Sequence, residues 1–151
     1  MKPMLVQAAL LANLALSLAL GYHLFTQPAL PILSNGQKQT ADFPNVSIDD
    51  VWNHIEAGSA SLVDARSAEL YGYGHLPEAL SAPSDTEIPP QILSQLKAAP
   101  LVVVYCDGPN CHASSLLALQ LAKLGVTKVQ IMREGWEGWL DAGRPVVLGG
   151  V

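Results

Sequence analysis

Residues 4–25 form a nearly continuous apolar stretch of Leu, Ala and Val that carries no formal charge. A run of about 20 apolar residues is long enough to cross a bilayer as a helix. Lys2 and the amino terminus supply the nearby positive charge, which favours an N-inside orientation with the remainder exported. We therefore predict a hydrophobic helix that acts as a transmembrane signal-anchor over residues 1–26. The alternative is a signal peptide that is cleaved near Ala19-Leu20-Gly21.

The hydrophobic pattern then changes twice. Residues 27–42 contain Pro28, Pro31 and Gly36 and keep no hydrophobic period, which predicts a linker. Helical spacing begins after Ser47, a residue type that caps helix N-termini, and Gly58 is the expected stop. Residues 43–151 are accordingly predicted to form the folded domain.

Within this domain, short apolar runs alternate with amphipathic segments. The runs at residues 61–64, 101–105 and 128–132 predict strands, and residues 90–98, 113–124 and 135–142 predict helices. The β-branched run at 101–105 is typical of a central parallel strand that is covered on both faces. The alternation predicts an α/β fold with a mainly parallel sheet.

Composition excludes several classes of function. A chain of 151 residues has room for one domain and one appendage. Its formal charge is −5 and its Lys and Arg residues are scattered, so nucleic acid is not expected as a partner. The two cysteines, Cys106 and Cys111, lie in one short segment, which argues against a disulfide framework. They have no zinc-ligand spacing, so we predict no metal and no other cofactor.

The segment around the two cysteines is the candidate site. The buried strand at 101–105 ends at Cys106, and a loop follows that contains Asp107, Gly108, Pro109, Asn110, Cys111 and His112. Active sites gather at the carboxyl edge of such sheets, where backbone N–H groups of a loop and a helix start can stabilise an anion. We therefore expect a lowered pKa and a nucleophilic thiolate at Cys106. The alternative is an inert, buried structural cysteine.

The order and spacing of several motifs resemble those of rhodanese-like sulfurtransferase domains. These motifs are Leu62-Val63-Asp64-Ala65-Arg66, Gly74-His75-Leu76-Pro77, Val104-Tyr105-Cys106 and Gly135-Trp136-Glu137-Gly138-Trp139. The resemblance covers about a hundred residues. It implies a rhodanese-like fold with a five-stranded, mainly parallel sheet and helices on both faces. It also implies that Cys106 takes up a sulfane sulfur and becomes a persulfide.

The resemblance also implies roles for residues outside the loop. Asp64 and Arg66 resemble a structural ion pair that supports the loops near the site, and His75 resembles a hydrogen-bonded turn residue. Arg133 and Glu134 occupy positions that approach the rim of the pocket, which makes them candidates for substrate contact. No metal ligand is implied.

The loop departs from the family pattern at two positions. Many active members carry Arg or Lys five residues after the cysteine, where this chain has Cys111. Asp107 places a carboxylate directly beside the nucleophile, and a carboxylate disfavours both a thiolate and an anionic donor. Thiosulfate is therefore doubtful as a substrate. Cys111 is a candidate resolving thiol that could attack a persulfide on Cys106.

The sequence thus predicts a membrane-tethered sulfurtransferase that passes sulfur from a small donor to a thiol or other thiophilic acceptor. The alternatives are a catalytically silent binding module and a Cys106/Cys111 thiol–disulfide relay with a thioredoxin-like partner. The predicted location is the inner membrane, single-pass, with the domain exported (periplasmic in a bacterium). Secretion after signal cleavage is the alternative.

Overall fold

The computed structural model describes residues 42–149. The predicted N-terminal hydrophobic helix and nearly all of the linker lie outside this range. Within residues 42–149, no helix has the length and apolar character that a membrane span requires.

The described chain alternates strands and helices, as the hydrophobic pattern predicts. Ser47 caps the first helix by accepting a hydrogen bond from the backbone N–H of Asp50, and Gly58 ends that helix with a φ of 58°. Few side chains adopt that backbone conformation as easily as glycine does. The elements are α1 Ile48–Ala57, β1 Ser61–Asp64, α2 Ala68–Tyr73, β2 Gly74–His75, β3 Leu80–Ser81, α3 Pro90–Ala98, β4 Val102–Tyr105, α4 Ala113–Lys123, β5 Val129–Met132, α5 Gly135–Asp141 and β6 Val147–Leu148.

The main sheet is parallel and has four strands in the order β3-β1-β4-β5. This corrects the five strands that the resemblance implied. The segment before α1 makes only an isolated parallel bridge, between Asn45 and Ile131 at the outer edge of β5. Pro44 accepts a hydrogen bond there but has no N–H to donate, and α1 begins four residues after Pro44, so the ladder stops.

A second pairing joins two short strands outside the main sheet. The strands β2 and β6 form an antiparallel pair in which His75 lies opposite Val147. The hydrophobic pattern predicts no strand after residue 142, so this pairing was not predicted. It attaches the end of the described chain to the segment that follows α2.

Alternate residues of β4 face two separate apolar clusters. Val102 and Val104 pack with Leu96 of α3 and with Leu117 and Leu121 of α4. On the other face, Val103 and Tyr105 pack in a cluster that contains Val51 of α1 and Trp139 of α5. Because side chains alternate along a strand, Cys106 falls on the α3/α4 face and Tyr105 on the opposite face. Burial on both faces explains the uninterrupted apolar run.

A buried polar network joins β1, β4 and the turn after β2. Asp64 and Tyr105 are register partners across β1 and β4, and the Tyr105 hydroxyl donates to Asp64 Oδ2 at 2.8 Å. The same hydroxyl accepts from the backbone N–H of Leu76 at 3.2 Å. Arg66 Nη2 donates to Asp64 Oδ2 and to the Gly74 carbonyl, both at 2.7 Å. The network therefore satisfies polar groups that have almost no access to water.

We predict that Tyr105→Phe lowers the free energy of unfolding by about 1–3 kcal/mol, because it leaves the buried Leu76 N–H without its acceptor. Urea denaturation measures this loss. Tyr73→Phe is the matched control, since the Tyr73 hydroxyl is exposed and bonds only to Glu69 in the described structure; we expect a change within about 0.5 kcal/mol. Equal losses in the two variants would contradict the importance of the network.

Candidate active site

The candidate site lies where β4 ends and the cysteine loop, residues 106–112, begins. Only 2% of Cys106 is exposed, and its thiol donates to the Ser114 hydroxyl at 3.3 Å. Ser114 belongs to the first turn of α4 and is itself buried. The thiol is thus held beneath the start of a helix, at the carboxyl edge of the sheet, where backbone N–H groups favour negative charge.

The start of α5 fixes the base of the cysteine loop. The backbone N–H groups of Trp136 and Glu137 donate to the carbonyls of Cys106 and Asp107 at 2.7 and 2.8 Å. Gly135 permits this approach: its φ is 63°, and a Cβ at that position would lie 2.5 Å from the Cys106 carbonyl oxygen. No other residue type fits there without displacing the loop.

Arg66 connects the buried network to the loop. Its Nη1 lies 3.9 Å from Asp107 Oδ1, and its Cζ lies 4.5 Å from the centre of the Trp136 ring. Arg66 is nearly fully buried, whereas 45% of the Asp107 side chain is exposed. The guanidinium therefore forms its hydrogen bonds mainly with Asp64 and makes only a longer, partly solvated contact with Asp107.

Cys111 returns to the neighbourhood of Cys106 through a turn. Its backbone N–H donates to the Gly108 carbonyl at 2.9 Å. The Cys111 side chain is partly exposed and packs against the apolar cluster that contains Cys106. Both cysteines are free thiols.

The pKa of Cys106 is raised to about 11: burial is the main cause and the neighbouring Cys111 thiol adds to it, whereas hydrogen bonds from the side chain and backbone of Ser114 act in the opposite direction. The prediction of a lowered pKa was wrong in direction. No Lys or Arg occurs in residues 106–112 to stabilise the thiolate. The helix-start donors therefore do not offset the loss of solvation, and the resting thiol is protonated at neutral pH.

The other candidate residues lie on the surface of the cysteine loop or outside it. Pro109, Asn110 and His112 are exposed on the loop. His75 Nδ1 lies 3.0 Å from the Tyr71 carbonyl oxygen, and the two rings stack at 3.8 Å. The hydrogen bond and the stack hold His75 against Tyr71 of α2.

Arg133 and Glu134, which the resemblance placed at the pocket rim, have other contacts. The Arg133 guanidinium donates to the Phe43 carbonyl at 3.4 Å and lies 3.5 Å from Asp42. These contacts direct it to the segment before α1. Glu134 directly precedes α5, and its Oε2 is buried without a hydrogen-bond partner in the described structure.

Sequence reasoning missed two residues beside the loop. Ser114 was given no role, although a hydroxyl in the first turn of a helix after a cysteine loop is well placed to contact the sulfur. Glu137 was quoted only as part of a motif. A Cβ added to Gly108 would lie 2.6 Å from Glu137 Oε2, so the Glu137 carboxylate lies directly against the loop. Among residues 42–149, no group of three or more His, Cys, Asp or Glu side chains could hold a metal ion.

Comparison with known families decides the classification. The model of the rhodanese-like domain matches residues 47–142. The chain belongs to the rhodanese-like domain family. The matched range includes β1, the cysteine loop and α5, so every part of the candidate site lies inside this rhodanese-like domain.

Individual proteins are also similar to this chain. The chain is 34% identical over 91 residues to the HTH-type transcriptional regulator Rv0324 of Mycobacterium tuberculosis, across 60% of this chain and 39% of the regulator. It thus spans well under half of that relative's length. The BH2092 protein of Bacillus halodurans is similar with a TM-score of 0.62 and 29% identity, across 69% of this chain and 76% of that one. The human single-domain sulfurtransferase TSTD1 is similar with a TM-score of 0.50 and 26% identity, across 65% of this chain and 96% of TSTD1.

We predict that Cys106 reacts slowly with iodoacetamide at neutral pH and that its rate rises about tenfold per pH unit up to about pH 9, since its pKa lies above the ordinary thiol value. The Cys111→Ser variant isolates the Cys106 signal, and N-acetylcysteine is the control. A rate for Cys106 that levels off near neutral pH would contradict the raised pKa.

Proposed function

We propose that this rhodanese-like domain is a sulfurtransferase that carries a sulfane sulfur on Cys106. The observation that carries the proposal is the position of Cys106: it ends the central strand and lies under the first turn of α4, where both the hydroxyl and the backbone N–H of Ser114 favour the thiolate. The resemblance to sulfurtransferases supports the same chemistry. A thiolate with fixed donors around it can attack sulfur and hold the product.

The reaction needs the Cys106 thiol, a sulfur donor and a thiophilic acceptor. The Cys106 thiolate attacks the outer sulfur of a persulfide R–S–SH, a new S–S bond forms, and the donor leaves as the thiolate R–S⁻. The Cys106 persulfide then gives its outer sulfur to a thiophilic acceptor and regenerates the thiolate. Because the resting thiol is protonated, we expect the rate of sulfur loading to increase with pH.

The charges around the loop favour a neutral or cationic donor over thiosulfate. Asp107 is half-exposed beside the nucleophile, and Glu137 is an exposed carboxylate against Gly108. Arg66 is a nearby cation, but it is buried and hydrogen-bonded to Asp64. A dianion that approaches Cys106 meets two carboxylates, and a donor without negative charge does not.

A binding module without sulfur chemistry is the second candidate function. The observation that favours it is the buried thiol of Cys106, whose raised pKa keeps it protonated at neutral pH and leads us to expect slow reaction. The two candidates differ in one property, the formation of a persulfide on Cys106.

We also propose, from the sequence alone, that residues 1–26 tether the domain to the inner membrane and that the domain is exported. Its partners would be a small sulfur donor and a thiol acceptor. A thioredoxin-like protein is a further candidate partner.

The first test is intact mass spectrometry of the reduced full-length Cys111→Ser variant after incubation with a low-molecular-weight persulfide. We expect a gain of one sulfur atom, because Cys106 is then the only thiol and has the donors of Ser114 beside it. The matched control is the double variant Cys106→Ser/Cys111→Ser, which should gain nothing. A Cys111→Ser protein that stays unmodified across the pH range would favour the binding module.

The second test compares two donors. In Asp107→Asn/Glu137→Gln we expect the loading rate with the dianion thiosulfate to rise about tenfold at low salt, relative to the rate with a persulfide R–S–SH whose R group is uncharged. The reason is that two carboxylates at the cysteine loop are neutralised. Using the ratio removes any change in the reactivity of Cys106 itself. Glu56→Gln, an exposed carboxylate on α1, is the control and should leave the ratio unchanged. An unchanged ratio in the double variant would show that these carboxylates do not select the donor.

A further inference from the structure

We infer that Cys111 is a catalytic residue of this site, which converts the persulfide of Cys106 into a Cys106–Cys111 disulfide and releases the carried sulfur as hydrosulfide. This inference rests on the proposed function, because it requires that Cys106 first accept a sulfur. It assigns the chain a reductive release of sulfide, in addition to transfer of sulfur to an external acceptor.

The loop geometry brings the two thiols to the same place. The hydrogen bond from the Cys111 N–H to the Gly108 carbonyl closes a turn within the loop. That turn directs the Cys111 side chain against the apolar cluster to which Cys106 belongs. The effect of the Cys111 thiol on the pKa of Cys106 agrees with this proximity.

The difference in exposure between the two thiols gives them different roles. Cys106 is 2% exposed, lies beneath the loop and is bonded to Ser114. Cys111 is partly exposed beside the exposed residues Asn110 and His112. A small persulfide needs little space to reach a buried sulfur, whereas a protein thiol must approach through the surface. A macromolecular partner would therefore meet Cys111 before Cys106.

The resolving step balances without an external oxidant. The Cys111 sulfur attacks the inner sulfur of the Cys106 persulfide, and a Cys106–Cys111 bond forms as the bond to the outer sulfur breaks. The outer sulfur of the persulfide, which has first lost its own proton to solvent, takes both electrons of that bond and the proton of Cys111 and leaves as HS⁻. The two thiols are oxidised to a disulfide, and the sulfane sulfur is reduced to sulfide. An external dithiol then reduces the disulfide by ordinary exchange and restores both thiols.

The charge of the loop favours the forward direction of this step. The leaving hydrosulfide carries a negative charge, and it departs past Asp107 and Glu137. Repulsion from these carboxylates disfavours its return to the newly formed disulfide. The same carboxylates do not hinder a neutral donor on its way in.

The experiment exposes the reduced full-length chain to one equivalent of a low-molecular-weight persulfide, with no reductant present. Intact mass spectrometry and a sulfide electrode follow the products. For the wild-type chain we expect a loss of two hydrogen atoms and close to one equivalent of sulfide. For Cys111→Ser and Cys111→Ala we expect a stable gain of one sulfur atom and no sulfide above the level of the Cys106→Ser control.

The outcomes separate this inference from the proposed function. If the wild-type chain keeps the added sulfur as stably as the Cys111 variants do, the resolving role is wrong and the sulfurtransferase proposal stands. The resolving role is also wrong if the added sulfur is found on Cys111 of the wild-type chain. Cys111 would then have attacked the outer sulfur of the Cys106 persulfide instead of the inner one. If the Cys111 variants gain no sulfur, both proposals fail together.

Discussion

The buried ion pair between Asp64 and Arg66 is the constraint on which the rest of the structure depends. Asp64 has no exposed surface and Arg66 has 4%, so neither charge can be left without its partner. Removal of one member of such a pair typically costs 3–5 kcal/mol. The same two side chains bind Tyr105, the Gly74 carbonyl and, at longer range, Asp107. The pair thereby fixes the ends of two strands, a turn and one side of the cysteine loop.

Much of the fold could be predicted from sequence because its signals are local. The Ser47 cap, the Gly58 stop and the apolar run of β4 each specify their element within a few residues, and the structure confirms them. The number of strands and the pairing of β2 with β6 depend on contacts between distant segments. Two-residue strands carry too little pattern to be distinguished from loops, so these features required the structure.

The site was predictable in position and less so in its electrostatics. Cys106 could be located because a buried strand ends there and a loop follows. The direction of its pKa shift depends on how deeply the thiol is buried and on which cations reach it. Neither property can be predicted from the neighbouring residues in the sequence. Glu137 belongs to a helix that packs on the loop from a distant part of the chain, so only the fold reveals its proximity.

Cys106 and Tyr105 are adjacent in sequence, yet they lie on opposite faces of the sheet. The Cys106 thiol and the buried ion-pair network therefore lie on opposite sides of one strand. Substitutions in the loop can accumulate on the α3/α4 side while the ion pair on the other side stays intact. In this chain, residues 106–112 carry two thiols and no Lys or Arg, while the buried Asp64–Arg66 pair across the strand keeps its full set of contacts. The surroundings of the thiol can therefore differ between loop sequences without a change in the network that joins the strands.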